Sequence, residues 1–359
     1  MYLGFTEMKK VIHILGARPN FIKAAPLIKK MNKLLGVNNI VLHTGQHYDK
    51  NMSEKFFDDL NIPKPNINLG LGGGSHAIQT AEIMKGCEKV FKEYNPDMVV
   101  VYGDVNSCVA ATLVASKMGI KISHIESGLR SGDRTMPEEI NRLVTDTLSD
   151  YLFVTCEDAI SNLKNEGVNH EKIFFVGNTM IDSLVEFEDK FENQTDGEYA
   201  LVTLHRPFTV DDKSNLKEMM DALVVVSQDI ELVFPIHPRT RQSLINFDLY
   251  DCYKSEIKFL DPLGYLEFMS LQKYAKFIIT DSGGIQEESS YFNVPCLTVR
   301  DNTERPVTCT DGTNKLIGTD YGNISYHVQT IDYGKKSSIN LWDGKASNRI
   351  IDILNEVMV

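Results

Sequence analysis

The chain has no CxxC pair, no GxGxxG loop, a single tryptophan and no apolar run long enough to span a membrane. Each absence removes a class of protein. The six cysteines (Cys87, Cys108, Cys156, Cys252, Cys296 and Cys309) are scattered, most of them in apolar stretches. They suit neither a zinc site nor a disulfide framework, and a reducing compartment is expected. Without GxGxxG there is no nicotinamide fingerprint. Two lysines precede "VIHILGARPN", but Arg18 and Pro19 cut that apolar run too short for a secretory signal. Positive charge is scarce as well: 37 Lys and Arg against 49 Asp and Glu leave a formal net charge of -12. That balance argues against a general nucleic-acid or membrane-surface binder. An anionic ligand would need its own local arginines and helix N-termini. A soluble, cytoplasmic protein is expected.

What is present is ordinary globular material, 42% hydrophobic and 24% charged over 359 residues, a length that predicts two domains. Short apolar runs recur, each ending in a polar or glycine residue: "VIHILG" (11–16), "IVLHTG" (40–45), "MVVVYGD" (98–104), "KISHIES" (121–127), "YLFVTC" (151–156) and "KIFFVGN" (172–178). Stretches of helical spacing lie between them, such as "AAPLIKKMNKLL" (24–35) and "INRLVTDTLSD" (140–150). Runs that are apolar on both faces and alternate with helices predict parallel strands covered on both sides. The scheme repeats in "YALVTLH" (199–205), "ELVFPIHP" (231–238), "KFIITDS" (276–282) and "PCLTVR" (295–300). The acidic stretch "EFEDKFENQTDGEY" separates the two series and places a boundary near 180–198. The fold class expected is α/β, with two doubly wound Rossmann-like domains. A terminal amphipathic helix is expected over 348–359. Doubly wound domains bind ligands outside the C-terminal ends of their strands, which is where the polar motifs fall.

In "GARPNFIK" (16–23), Gly16 suits a tight turn and Pro19 the first turn of a helix, with Arg18 and Lys23 placed to meet an anion. A strand–helix turn with two solvated cations fits the spacing equally. In "HTGQHYDKNM" (43–52), His43, Gln46 and His47 are candidate hydrogen-bonding groups for a ligand, although a plain polar loop explains the stretch better than metal ligation. Asp104 ends a strand in "YGDVNS" and is either chemical or a helix cap. "HIESGLRSGDRTMPEEINR" (124–142) packs acids and arginines together. Glu126 ends a strand, Pro137 opens a helix, and Ile140, Leu143, Val144 and Leu148 form one helical face. Glu138 and Arg142 lie four apart on another face. Taken alone they would be a solvated ion pair worth about 0.3–0.5 kcal/mol. Asp104 and Glu126 at successive strand ends favour chemistry for the set. His205 and Arg206 follow one second-half strand, and His237 and Arg239 the next. In "TDSGGIQEESS" (280–290) a strand runs into Ser282, Gly283 and Gly284 and then a helix, an amide-rich N-terminus suited to a diphosphate. Glu288, one turn in, suits ribose hydroxyls. Arg300, Glu304 and Arg305 follow the next strand.

Together, "GARPNFIKAAPL", "HTGQHYD", "YGDVNS", "HIESGLRSGD", "MPEEINR", "HRP", "TDSGGIQEES" and "RDNTERP" resemble the non-hydrolysing UDP-N-acetylglucosamine 2-epimerases, over roughly residues 10 to 320. The resemblance implies a glycosyltransferase-B-like fold: an N-terminal domain over 1–180 joined by the helix 346–359, a UDP-binding domain over 181–345, and the active site between them. It implies interconversion of UDP-N-acetylglucosamine and UDP-N-acetylmannosamine by a homodimer that uses no cofactor and no metal. Arg18 and Lys23 match the family's cleft loop. Asp104, Glu126 and Glu138 match its essential carboxylates, and His205 its essential histidine. Arg142 matches the arginine after "PEE". Ser282, Gly283, Gly284 and Glu288 match the UDP loop and its ribose-binding acid; Gln46, His237 and Arg305 complete the candidate binding set. The chain departs from the pattern at Asp49, where members activated by substrate often carry glutamine, and at 69–80, which holds no arginine.

The route implied is UDP elimination to 2-acetamidoglucal followed by re-addition, which needs positive potential for the leaving diphosphate and separate acid–base groups for the two faces of C2. Closure of the domains would shield the intermediate from water. Related activities remain open: epimerisation of UDP-2,3-diacetamido-2,3-dideoxy-glucuronate, a UDP-sugar glycosyltransferase, a hydrolysing epimerase, and a nucleotide-sugar sensor without turnover.

Overall fold

The computed structural model describes residues 8–34, 36–46 and 64–358. They form two compact units, one of the described residues up to 186 together with those from 340 on, and the other of 187–339.

The first unit is built on a parallel sheet. Its strands are β1 (Lys9–Leu15), β2 (Val37–His43), β3 (Ile67–Asn68), β4 (Met98–Tyr102), β5 (Lys121–Ser127), β6 (Tyr151–Val154) and β7 (Ile173–Phe175). They run in the order β3-β2-β1-β4-β5-β6-β7. Val11, Ile12, Ile14 and Leu15 of β1 and Val99, Val100 and Val101 of β4 are fully buried. That accounts for their unbroken apolar character: helices cover both faces, so alternation has no use. His13, in the middle of β1, is fully buried too, with Nδ1 2.7 Å from the Tyr102 hydroxyl and Nε2 3.1 Å from Asn39 Oδ1. Burial lowers its pKa to about 4, against a smaller upward pull from Asn39.

The second unit repeats the design with β8 (Tyr199–Thr203), β9 (Glu231–Pro235), β10 (Lys258–Leu260), β11 (Phe277–Thr280), β12 (Cys296–Thr298) and β13 (Asn314–Leu316). The order is β10-β9-β8-β11-β12-β13, all parallel. In each sheet the strand order reverses beside the first strand, between β1 and β4 and between β8 and β11. Ligands of doubly wound sheets bind at that reversal.

The longer apolar runs are strands as expected. The short strands β3, β10 and β13 were not; each has two or three residues and sits at or near a sheet edge, too short to show a pattern. The first helix spans Arg18–Met31, with Pro19 in its first turn as expected, and Asn20 closes that turn by accepting from the Gly16 and Ala17 amides. The last helix, Ala346–Met358, belongs to the first unit, where the Ala346 and Ser347 amides donate to the Asp182 carboxylate. Among the described residues no helix is long and apolar enough to cross a membrane.

Candidate active site

In the first unit the candidate residues gather at the C-terminal ends of β1, β4 and β5. Gly16 follows β1 without a left-handed φ. Its constraint is proximity, since a Cβ there would lie 2.1 Å from Ser107 Oγ. Arg18 and Lys23 stand on the helix that follows. Lys23 is 4% exposed, and its Nζ lies 2.5 Å from Glu126 Oε2. It is therefore a buried counter-ion, not one of two solvated cations.

Glu126 owes its position to an irregularity. Its φ is +69°, and β5 shifts register against β6 between Ile125 and Ser127. A left-handed non-glycine residue costs on the order of 1 kcal/mol, and such outliers persist where surrounding contacts over-determine them. Asp104 sits in the turn after β4 and pairs with Arg142, Nη1 to Oδ2 at 2.5 Å. It does not cap the helix Asn106–Lys117. Gln46 serves that end, with Oε1 accepting from the Ser107 amide at 3.0 Å and hydroxyl at 2.7 Å. His43, at the end of β2, is buried edge-on to Phe21, and burial lowers its pKa. His47 and Asp49 lie outside the described residues.

The helix Pro137–Leu148 turns its polar face inward. Glu139, Asn141, Arg142, Thr145 and Asp146 are buried, whereas Ile140 is 40% exposed and Leu143, Val144 and Leu148 are half-buried. One correction follows. Arg142 pairs not with Glu138 but with Glu139, at 2.6 Å, and with Asp104. The polar face is inside because its charged groups and Asn141 find partners there. The Glu139 carboxylate also accepts from the Ser131 and Gly132 amides at 3.0 Å each, and Asn141 donates to the Asp104 carbonyl at 2.9 Å. Burial works against the Glu139 charge, but those amides and Arg142 outweigh it and hold the carboxyl below its usual range. Glu138 is half-buried and makes no hydrogen bond or ion pair among the described residues.

In the second unit, His205 follows β8 and Ser282 follows β11, on either side of the strand-order reversal. Asp281, fully buried, ties them together. Its carboxylate accepts from the His205 and Arg206 amides, the latter at 2.8 Å, and lies 3.2 Å from His205 Nδ1. Burial opposes its charge, but His205 and the two amides win and its pKa is lowered. His237 caps the helix Pro238–Asn246, its Nδ1 accepting from the Arg239 amide, and its ring centroid lies 5.6 Å from that of His205. Arg239 pairs with Asp211.

Ser282 precedes the helix Gly283–Phe292, whose acidic residues are interior: Glu287 is fully buried and Glu288 is 5% exposed. Glu288 accepts from Gln272 Nε2 at 2.7 Å. Arg305 lies buried beneath the glycine turn, paired to Glu287 at 2.9 Å and Glu304 at 2.7 Å. A Cβ on Gly283 would sit 2.8 Å from Arg305 Nη1 and 2.9 Å from Glu304 Oε1. Two carboxylates already engage Arg305, which marks it as a support for the turn more than a ligand contact. Among the described residues no three His, Cys, Asp or Glu groups gather as metal ligands would.

Sequence reasoning passed over Asp281, Glu139, His124 and Asp146. All four stand inside or beside quoted motifs, yet nothing in their spacing shows that they are buried.

The family model for UDP-N-acetylglucosamine 2-epimerase matches residues 29–355. A UDP-N-acetylglucosamine 2-epimerase of Methanocaldococcus jannaschii is 44% identical over 96% of this chain and 98% of its own. A UDP-2,3-diacetamido-2,3-dideoxy-D-glucuronate 2-epimerase of Pseudomonas aeruginosa is 41% identical over 96% and 99%. The crystal structure of the Methanocaldococcus jannaschii UDP-GlcNAc 2-epimerase in complex with UDP-GlcNAc and UDP superposes with a TM-score of 0.90 at 42% identity, covering 97% of this chain and 99% of that one. Strand order, the placement of polar groups after the strands and these matches agree, and the chain belongs to the UDP-N-acetylglucosamine 2-epimerase family.

Proposed function

We propose that the protein interconverts UDP-N-acetylglucosamine and UDP-N-acetylmannosamine by eliminating UDP and adding it back. The observation that carries this reading is that Asp104 and Glu126 end neighbouring strands of one sheet, each held by its own buried cation, Arg142 and Lys23. The C2 hydrogen of an N-acetylhexosamine is barely acidic, so its removal must accompany cleavage of the C1–O bond. UDP departs with that electron pair, a carboxylate takes the C2 proton, and the C1–C2 double bond of 2-acetamidoglucal forms. On return, a UDP oxygen bonds to C1 while a second group protonates C2 on its other face. Asp104, Glu126 and Glu138 are the acid–base set. Asp281 holds His205 by Nδ1, so Nε2 is the nitrogen that exchanges protons. The Ser282–Gly284 turn grips the diphosphate with helix N-terminal amides, and Glu288 takes the ribose.

The working form on this reading is a cytoplasmic homodimer. The half-exposed apolar stripe of Ile140, Leu143, Val144 and Leu148 supports pairing with a second copy. The cysteines, scattered and without a CxxC pair, support a reducing compartment.

Incubation with UDP-N-acetylglucosamine in D2O, followed by NMR, tests the reaction. Deuterium at C2 in a mixture of both UDP-sugars is expected, and consumption with C2–H retained would refute it. The Pseudomonas aeruginosa relative favours one second reading, C2 epimerisation of UDP-2,3-diacetamido-2,3-dideoxy-glucuronate. Exchange with that substrate and none with UDP-N-acetylglucosamine would establish it in place of the first.

A further inference from the structure

We infer that His124 and Asp146 are positioning residues that clamp the two carboxylate-bearing turns of the first unit into one rigid arrangement. The inference rests on the functional reading above, which makes Asp104 and Glu126 reacting groups. His124 is fully buried in β5, two residues before Glu126. Its Nε2 lies 2.8 Å from the Gly103 carbonyl, the peptide that joins Gly103 to Asp104. Its Nδ1 lies 2.6 Å from Asp146 Oδ1. A carbonyl and an ionised carboxylate both only accept, so both ring nitrogens donate. The other oxygen of Asp146 accepts from the Gly128 amide at 3.0 Å, two residues beyond Glu126, and from Arg130 Nη1 at 2.7 Å. Arg130 in turn makes a bidentate pair with Glu166, both contacts at 2.7 Å.

One buried side chain therefore reaches the turn of Asp104, and the carboxylate bound to it reaches the turn of Glu126. Both turns need such a hold. Gly103, Glu126 and Gly128 all have left-handed φ, of +68°, +69° and +79°. The clamp also joins the helix Pro137–Leu148 to both turns, because Asp146 stands one helical turn beyond Arg142, the partner of Asp104. Nothing in the arrangement needs to touch substrate. It keeps two acid–base groups at fixed separation across a sugar ring, where an error of about 1 Å costs roughly 100-fold in rate.

Asp146→Asn and His124→Gln in the full chain test this. Asp146→Asn turns an amide donor toward the Gly128 N–H or Arg130, and His124→Gln breaks the span from Asp146 to Gly103. Each is expected to lower kcat for C2–H exchange of UDP-N-acetylglucosamine roughly 100-fold while KM and UDP affinity stay within about threefold. The Gly103 and Gly128 amides, read by hydrogen–deuterium exchange, should lose protection while the rest of the sheet keeps it. Should Asp146→Asn not fold, His124→Gln carries the test, since it leaves the Asp146–Arg130 pair in place. Wild-type kcat, or KM and kcat failing together with protection lost throughout the unit, would overturn the clamp. Wild-type protein that leaves the C2 hydrogen in place overturns the functional reading instead. Amide exchange then decides the clamp alone, faster exchange at Gly103 and Gly128 upholding it and unchanged exchange overturning it.

Discussion

The helix Pro137–Leu148 of the first unit and the helix Gly283–Phe292 of the second both follow a strand and a loop, and both bury acids. They do so for different ends. The first buries a row of ion pairs, Glu139 with Arg142 and Arg142 with Asp104, and leaves its apolar stripe half-exposed. The second begins on glycine with its amides at the turn, and its acids face inward: Glu287 neutralises Arg305, and Glu288 is held by Gln272. On the proposed reading, one design fixes charged side chains that exchange protons, and the other clears side chains from a backbone that receives an anion. Charges are thus buried in both units, but only in the first are they the candidate reacting groups.

That division can be broken by experiment. If the first unit performs proton transfer, Asp104→Asn and Glu126→Gln should each lower kcat on the order of 1000-fold, with UDP affinity by calorimetry close to wild type. A parallel loss of UDP affinity would place those acids in binding and erase the contrast.

The histidine buried within the sheet of the first unit should also carry a cost that pH reveals. His13 titrates near 4 in the folded chain against an ordinary 6.5. The unfolded chain takes up its proton first as pH falls, so the contribution is complete above 6.5 and is lost on the way down to 4. At about 1.4 kcal/mol per unit that amounts to about 3 kcal/mol between pH 7 and pH 4. Urea unfolding should show that slope, and His13→Gln should flatten it.

Asp281→Asn tests whether the second unit has a proton-handling part of its own. An amide cannot hold the His205 tautomer as a carboxylate does, and kcat should fall about 100-fold with a steeper dependence on pH. Gly283→Ala should weaken UDP roughly tenfold and kcat less, since the new methyl displaces Arg305 and Glu304 beneath the turn. The smallest effect belongs to the solvated pair Glu88–Lys92, where Lys92→Ala should cost about 0.3–0.5 kcal/mol and leave turnover alone. A large effect there would mean that exposed and buried charges are not as different as the first helix suggests.

Much of this architecture was legible in the residues. Unbroken apolar runs ending in Gly, Asp or Ser marked most of the long strands, because a strand covered on both faces has no polar side to display. Candidate groups were legible for the same reason, as polar residues directly after such runs. The inward face of the helix Pro137–Leu148 was not legible, because periodicity reports which residues share a face, not which face points inward. Its polar face is inside only because Asp104, Ser131 and Gly132 supply partners from elsewhere in the chain. Gly16 was assigned to a turn on its conformational freedom, when its constraint is the side chain of Ser107, ninety-one positions away by numbering.

Local chain chemistry alone determined the strand-and-helix alternation, the glycine-to-helix turn at 282–284 and the polar ends of the strands, since propensity, capping and hydrophobic pattern act within a few residues. Only the tertiary structure decided which charges meet: Lys23 with Glu126, Arg142 with Asp104, His124 with Asp146. Those pairs span long stretches of sequence, and a buried charge is tolerated only where folding brings its partner to it.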